Sequence, residues 1–156
     1  MKFPVYAALL PLVGLLTSAP AAADSGNYWL EATCSTPEKT YVAAGLVSEG
    51  PTEFSNGVRN DVLQVTTDGQ TTTMKGVPVF TGLGFNGMLT IQNGSAVLSG
   101  ALHCNHLVRV EENGRGGQRP VVSGFELGAA SLAVPARGRG VLSENNAKLV
   151  VTLTPR

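Results

Sequence analysis

The dipeptide Asn93-Gly94 constrains the fold of this chain more than any other feature of its sequence. A two-residue type I′ hairpin turn needs positive φ at both central residues, and Asn followed by Gly meets that need best. The flanking residues alternate between apolar and polar, which predicts antiparallel strands with Leu89 opposite Leu98 and Ile91 opposite Ala96. One face of this hairpin should therefore pack on a core.

The strand after this turn carries one of the two cysteines and both histidines of the chain. A two-residue period assigns alternate side chains to opposite faces of a strand. The period predicts an inward set of Ala96, Leu98, Leu102, Cys104, His106, Val108 and Val110, and an outward set of Ser99, His103, Asn105, Arg109 and Glu111.

The two cysteines are predicted to form a disulfide. The same alternation, applied to residues 28–34, places Cys34 on an inward face with Leu30 and Ala32. Thiols in an oxidising compartment are usually paired, so Cys34 and Cys104 should meet across the core. Their separation of 70 residues corresponds to a stabilisation of about 4 kcal/mol in the chain-entropy description of disulfides.

Residues 1–23 have the pattern of a secretory signal peptide. Lys2 precedes an apolar run, and the small residues Ala21 and Ala23 close the segment. The apolar run is too short to span a membrane and no second long run follows, so we predict no membrane span. We expect residues 24–156 to form a single exported domain, which would be extracellular, or periplasmic in a Gram-negative bacterium.

A second hairpin is predicted at Asp68-Gly69, with Val65 opposite Thr72 and Leu63 opposite Met74. Leu63, Val65 and Met74 would then form its inward face. Segments rich in glycine, proline and asparagine are predicted to be loops, at residues 48–57, 81–87, 113–120 and 136–140.

Residues 121–134 fit either two short strands or a strand followed by a turn of helix. Elsewhere the chain has short strand patterns separated by turn signals, 19 glycines and no helix start signal. This organisation favours an all-β fold, an antiparallel β-sandwich of immunoglobulin-like or jelly-roll-like type, with a small β-barrel as the alternative.

The net charge gives no bulk attraction to nucleic acid or membranes. Residues 24–156 carry 10 basic and 11 acidic side chains, a formal charge of −1. The charges are unevenly distributed, since residues 24–69 carry −5 and residues 70–156 carry +4. Nucleic acid is therefore disfavoured as a partner.

Motifs for catalysis or metal binding are weak. Residues 103–106 contain two histidines and a cysteine, but histidines three positions apart on a strand face opposite ways, and a disulfide removes the thiolate. The Gly-x-Ser-x-Gly motif of serine hydrolases is absent from the sequence. We predict neither a metal site nor a cofactor. A glycosidase needs only two carboxylates, and the spacing does not choose among Glu31, Glu53, Asp61 and Glu126.

Two loops rich in arginine and glycine are the best candidate binding feature. If both lie at one end of a sandwich, their guanidinium groups would form an anion-binding site. The alternative is that these loops are solvated connectors. The residues concerned are Arg115, Arg119, Arg137 and Arg139.

We therefore expect a secreted, soluble, non-enzymatic protein that acts as a binding or interaction module, as surface-binding proteins and secreted effectors do. Its partner would be a protein or an anionic glycan. One alternative is a secreted hydrolase with a dispersed carboxylate pair. Another is a structural subunit of an extracellular assembly that donates its terminal strand, residues 148–154, to a neighbour.

Overall fold

The computed structural model describes residues 26–156, so the predicted signal peptide lies outside the described residues. Within this range no helix is long and apolar enough to cross a membrane. Eight strands account for most of the described chain: β1 Tyr28–Ser35, β2 Thr40–Val47, β3 Gly50–Asp68, β4 Thr71–Gln92, β5 Ser95–Glu112, β6 Gln118–Val134, β7 Gly140–Glu144 and β8 Ala147–Pro155.

The strands form two antiparallel sheets that pack as a β-sandwich, which confirms the predicted fold class. Sheet I has the order β2-β1-β8-β7, and sheet II has the order β3-β4-β5-β6. The two sheets remain separate, so the alternative of a small closed barrel is wrong.

The hairpin at Asn93-Gly94 has the predicted register. Leu89 lies opposite Leu98 and Ile91 opposite Ala96. Asn93 and Gly94 both have positive φ, of 52° and 76°, as a type I′ turn requires. This turn joins β4 to β5 at one end of the sandwich.

The predicted disulfide is also confirmed. Cys34 of sheet I and Cys104 of sheet II are bonded, with their Cα atoms 5.5 Å apart. Both cysteines are fully buried among the aliphatic side chains that line the inner faces of the two sheets. The bond therefore ties the two layers together through the centre of the core.

The second hairpin turns one residue later than predicted. Its turn residues are Gly69 and Gln70, so Val65 lies opposite Met74 rather than Thr72. Gly69 has a φ of 58°, and Gln70 is not among the positive-φ residues, which is the pattern of a type II′ turn with Gly at its first central position. The predicted inward face is also wrong, because Met74 is 62% exposed whereas Val62 is buried.

Most of the segments predicted to be glycine-rich loops are strand. Residues 50–57 belong to β3, residues 81–87 belong to β4, and β6 begins at Gln118 and runs unbroken through residues 121–134. Only residues 113–117 and 135–139 remain as loops between β5 and β7. Glycines inside these strands mark places where the strand bends or another group comes close, and the composition of a segment does not distinguish this role from that of a loop.

Four residues form one row across sheet II, which we call the glycine row: Gly57, Gly82, Asn105 and Gly124. Each is the direct cross-strand partner of the next. Gly82 and Gly124 have φ of 139° and 98°, and a Cβ at Gly82 would lie 2.5 Å from the backbone oxygen of Asn56. Side chains are therefore excluded at Gly82 by both conformation and space.

The pairing of β4 with β5 ends at the glycine row. Beyond it, sheet II continues as two separate hairpin arms, residues 58–81 and residues 106–123. The edge strands β3 and β6 approach each other in these arms, where the backbone N–H of Leu63 donates to Oε1 of Gln118 at 2.9 Å.

Three residues of β5 differ in burial from what their predicted faces imply. Asn105, predicted to point outward, is only 3% exposed, and its Oδ1 accepts a hydrogen bond from the backbone N–H of Gly82 at 3.0 Å. Val108 and Val110, predicted to point inward, are exposed. They lie on an arm beyond the sandwich, past a register shift between Leu107 and Arg109, where no core covers them.

Candidate functional site

The two arginine loops lie at opposite ends of β6. Arg115 is in the loop that precedes this strand, and Arg137 and Arg139 are in the loop that follows it. The strand has 17 residues, a contour of roughly 55 Å at 3.3 Å per residue. The four arginines therefore do not form one anion-binding site.

Arg119 lies in β6 itself and forms an ion pair with Glu111 of β5. Its guanidinium donates to Glu111 at 2.8 Å, and Arg109 donates to the same carboxylate. The hydrogen bond from Arg119, followed by that from Arg109, lowers the pKa of Glu111. The network of two guanidinium groups and one carboxylate has a formal charge of +1, so Glu111 offsets only part of the positive charge of Arg109 and Arg119.

The solvent-facing side of sheet II brings together a different set of functional side chains. The register places Gly84 of β4, His103 of β5 and Glu126 of β6 in one row. A hollow of about 370 Å³ lies beside this row. We call it the Phe80 hollow, and its polar and aromatic walls include Glu53, Ser55, Arg59, Phe80, Asn86 and His103.

The glycines of sheet II determine the position of the Phe80 ring. The ring occupies the space where side chains at Gly57 and Gly84 would lie, since a Cβ at Gly57 would be 2.6 Å from the ring Cζ and one at Gly84 3.2 Å from Cε1. Four strand residues span about 13 Å in a straight strand. The contact of Phe80 with Gly84 therefore requires β4 to depart from a straight path between them, in the segment where Gly82 has a φ of 139°.

The Phe80 ring divides two openings on this face. A second hollow of about 360 Å³ is lined by Arg59, Pro78, Val79, Phe80 and Glu126. Phe80 and Arg59 line both hollows, and Phe80 remains half-buried. An aromatic ring with hydrogen-bonding groups on both sides is thus presented to solvent.

His103 packs against Phe80 edge-on, with ring centroids 5.6 Å apart and an interplanar angle of 75°. Its Nδ1 is buried without a hydrogen-bond partner among the described residues, and it lies 3.5 Å from Oε1 of Glu126. That separation exceeds an ordinary N···O hydrogen bond. A small change in either side chain would join them.

His106 belongs to a different cluster, on the opposite face from His103. Its Nδ1 is 2.6 Å from the hydroxyl of Tyr41, a buried residue of sheet I, and burial raises the pKa of Tyr41. Nearby, Ser123 donates to Glu38 and thereby lowers the pKa of that carboxyl. These contacts lie between the two layers of the sandwich.

The described residues contain no group of three His, Cys, Asp or Glu side chains that could hold a metal ion.

The carboxylates considered for hydrolysis are dispersed. Glu53 and Glu126 both line the solvent-facing side of sheet II, but β3 and β6 are three strand spacings apart, about 14 Å. A glycosidase pair has its carboxyl groups about 5 to 10 Å apart. Glu31 lies on the other sheet, where it accepts a hydrogen bond from Trp29, and Asp61 lies on an arm.

Comparison of the chain with protein families, curated proteins and solved structures gave no match. The Phe80 hollow therefore has to be interpreted from its own chemistry.

Phe80 and Arg59 were not predicted as site residues from the sequence, whereas Glu53 and Glu126 were considered for hydrolysis and His103 for metal binding. The overlooked signal is the density of glycine on either side of Phe80, at residues 76–87. Glycines within a strand commonly mark a bend or the close approach of another group.

Proposed function

We propose that this chain is a secreted, non-enzymatic binding module that binds a saccharide in the Phe80 hollow. The observation that carries the proposal is the ring of Phe80, held across Gly57 and Gly84 and flanked on both sides by hydrogen-bonding side chains. Saccharides have apolar C–H faces edged by hydroxyl groups, and this combination of surfaces complements them.

The charges around the ring favour a neutral, hydroxyl-rich ligand. Glu53 and Glu126 accept hydrogen bonds, Arg59 donates them, and Asn86 does both. Two carboxylates and one guanidinium would repel an anionic ligand more than they attract it. The expectation of an anionic glycan depended on converging arginine loops, which this molecule does not have.

Several features support binding over the alternative functions. Both cysteines are used in the disulfide, and the Phe80 hollow is open to solvent, whereas catalytic sites usually exclude water. The strand-donation alternative requires a detached terminal strand, but β8 lies between β1 and β7 within sheet I. The secreted location rests on the signal-peptide pattern of residues 1–23 and on the disulfide.

The test is a glycan array probed with the purified protein, followed by titration calorimetry with the best neutral oligosaccharide. Phe80→Ala should abolish binding, whereas Phe80→Trp, which keeps an aromatic face, should retain it. Val122→Ala is a matched control, because it removes an exposed apolar side chain of β6 on the second arm. Thermal unfolding of each variant checks that the fold is intact.

Two outcomes would contradict the proposal. The first is that no glycan on the array binds in a saturable manner. The second is that folded Phe80→Ala binds the selected oligosaccharide as tightly as the unmodified protein does.

A further inference from the structure

Strand β2 is one of the two edge strands of sheet I. This strand of eight residues, Thr40–Val47, lies at the end of the order β2-β1-β8-β7 and contains neither proline nor a charged residue. Edge strands that do not bind other chains usually carry such residues, because unpaired backbone groups attract further strands.

The backbone groups that face this open edge can be identified. The side-chain amide of Asn56 donates to the backbone oxygen of Val42 at 2.6 Å, so the groups of Val42 point away from β1. Because the direction alternates along a strand, the N–H and C=O groups of Ala44 and Leu46 face the same way. The side chains of Val42 and Leu46 are 52% and 64% exposed.

A groove runs along this edge, with β2 as one wall and β3 as the other. Its walls are formed by residues 42–47 of β2 and residues 53–56 of β3, and Leu30 of the core also lines it. The groove has a volume of about 430 Å³. We call it the β2–β3 seam. Because six consecutive residues of one strand line it, its length suits an extended segment.

We infer that the β2–β3 seam accepts one extended segment of a partner protein, which adds a fifth strand to sheet I beside β2. The segment would pair its backbone with Ala44 and Leu46 and would place apolar side chains against Val42 and Leu46. Glu53 lines the seam and forms no ion pair among the described residues. The partner segment should therefore carry a lysine or arginine at the end that meets Glu53.

A second copy of this chain does not fit the seam. Its β2 is connected to β3 by only two residues, Ser48 and Glu49, so the second β2 would arrive with its own β3 alongside. The two β3 walls would obstruct each other, whereas a single extended segment carries no such wall. Glu53 lines both the seam and the Phe80 hollow, but Ala44 and Leu46 line only the seam. Failure of the Ala44 test therefore refutes this inference without bearing on the proposed saccharide site.

The probe is a random nonapeptide library displayed on phage and selected on the folded protein. Enriched clones should alternate apolar and polar residues and carry a basic residue at one end. Ala44→Pro removes the edge-facing N–H without removing a hydrogen bond to β1, and should weaken the selected peptides by about tenfold or more. Ala44→Val keeps that N–H and is the matched control, with affinity expected within about threefold.

Two further measurements test the placement and the charge. In the unmodified protein, a bound peptide should slow amide hydrogen exchange at Ala44 and Leu46 and leave Ala43 and Gly45, already paired with β1, unchanged. A selection repeated on Glu53→Gln should lose the preference for a basic end.

The inference is overturned if no peptide family is enriched, or if folded Ala44→Pro binds the selected peptides as well as Ala44→Val does. Exchange protection at β7 in place of β2 would also refute it. Sedimentation that shows a dimer of the unmodified protein, lost in Ala44→Pro, would assign the seam to self-association and refute the heterologous partner.

Discussion

Gly82→Ala is the substitution that most directly tests the role of the glycine row. At this position φ is 139°, a region that is essentially restricted to glycine, and occupying it with another residue costs about 1–3 kcal/mol. The added Cβ would also lie 2.5 Å from the backbone oxygen of Asn56 and 2.5 Å from Cα of Gly57. Both contacts are with backbone, so the sheet itself would have to move.

Overpacking of this kind typically costs a further 1–3 kcal/mol, roughly. The two effects predict that Gly82→Ala lowers the free energy of unfolding by about 2–6 kcal/mol, a large part of the 5–15 kcal/mol that is usual for a domain. Gly76→Ala is the matched control. Gly76 lies on the same strand, has no positive φ and would place its Cβ in open space, so its effect should stay within about 0.5 kcal/mol.

Urea unfolding of the two variants, with the disulfide intact and the fluorescence of Trp29 as the signal, measures this difference. Trp29 is the only tryptophan of the chain and lies on sheet I, away from both substitutions. Equal unfolding midpoints for Gly82→Ala and Gly76→Ala would refute the reasoning, since they would mean that sheet II does not depend on a side-chain-free row.

Three further predictions concern bonds and titration. Replacing Cys34 and Cys104 together with alanine should lower the free energy of unfolding by about 4 kcal/mol or more, and thiol alkylation without reductant should label neither cysteine in the unmodified protein. Burial raises the pKa of Tyr41, so the folded state favours the neutral phenol. The contribution of Tyr41 to the free energy of unfolding is therefore fully present below about pH 10 and is lost as pH rises further. Tyr41→Phe should flatten that alkaline decline in denaturant titrations. The lowered pKa of Glu111 makes the opposite contribution, present above about pH 4.5 and lost as pH falls through the folded-state value, and NMR titration should show that Arg119→Ala moves this pKa upward.

Features that depend on a short stretch of sequence, and that only one backbone conformation satisfies, were predictable from the sequence. Asn93-Gly94 satisfies one turn type, and the register from Leu89 to Leu98 follows from it. Cys34 and Cys104 each lie in an alternating strand, so their common inward direction followed as well. At Asp68-Gly69 two turns compete, and the structure has the one that starts at Gly69.

The glycine-rich strands were not predictable in the same way. Glycine is compatible with a loop, and only the alignment of Gly57, Gly82 and Gly124 across neighbouring strands shows why β3, β4 and β6 contain it. The Phe80 hollow depends on that alignment. The separation of the arginine loops was also unpredictable. Predicting it would have required knowing that residues 118–134, despite their glycines, form one continuous strand of 17 residues.

The position of β8 has a consequence for how the chain folds. Strand β1 pairs with β8 along its whole length, with Tyr28 opposite Pro155. The first strand of the sandwich therefore cannot complete its pairing until the last strand has been synthesised. Contacts between residues so distant in sequence slow folding, and folds dominated by them typically take milliseconds to seconds. The early strands β3 to β6 are joined by two tight hairpins and one short loop, so we expect sheet II to form first. Sheet I would then assemble late, in one step that depends on residues 147–155.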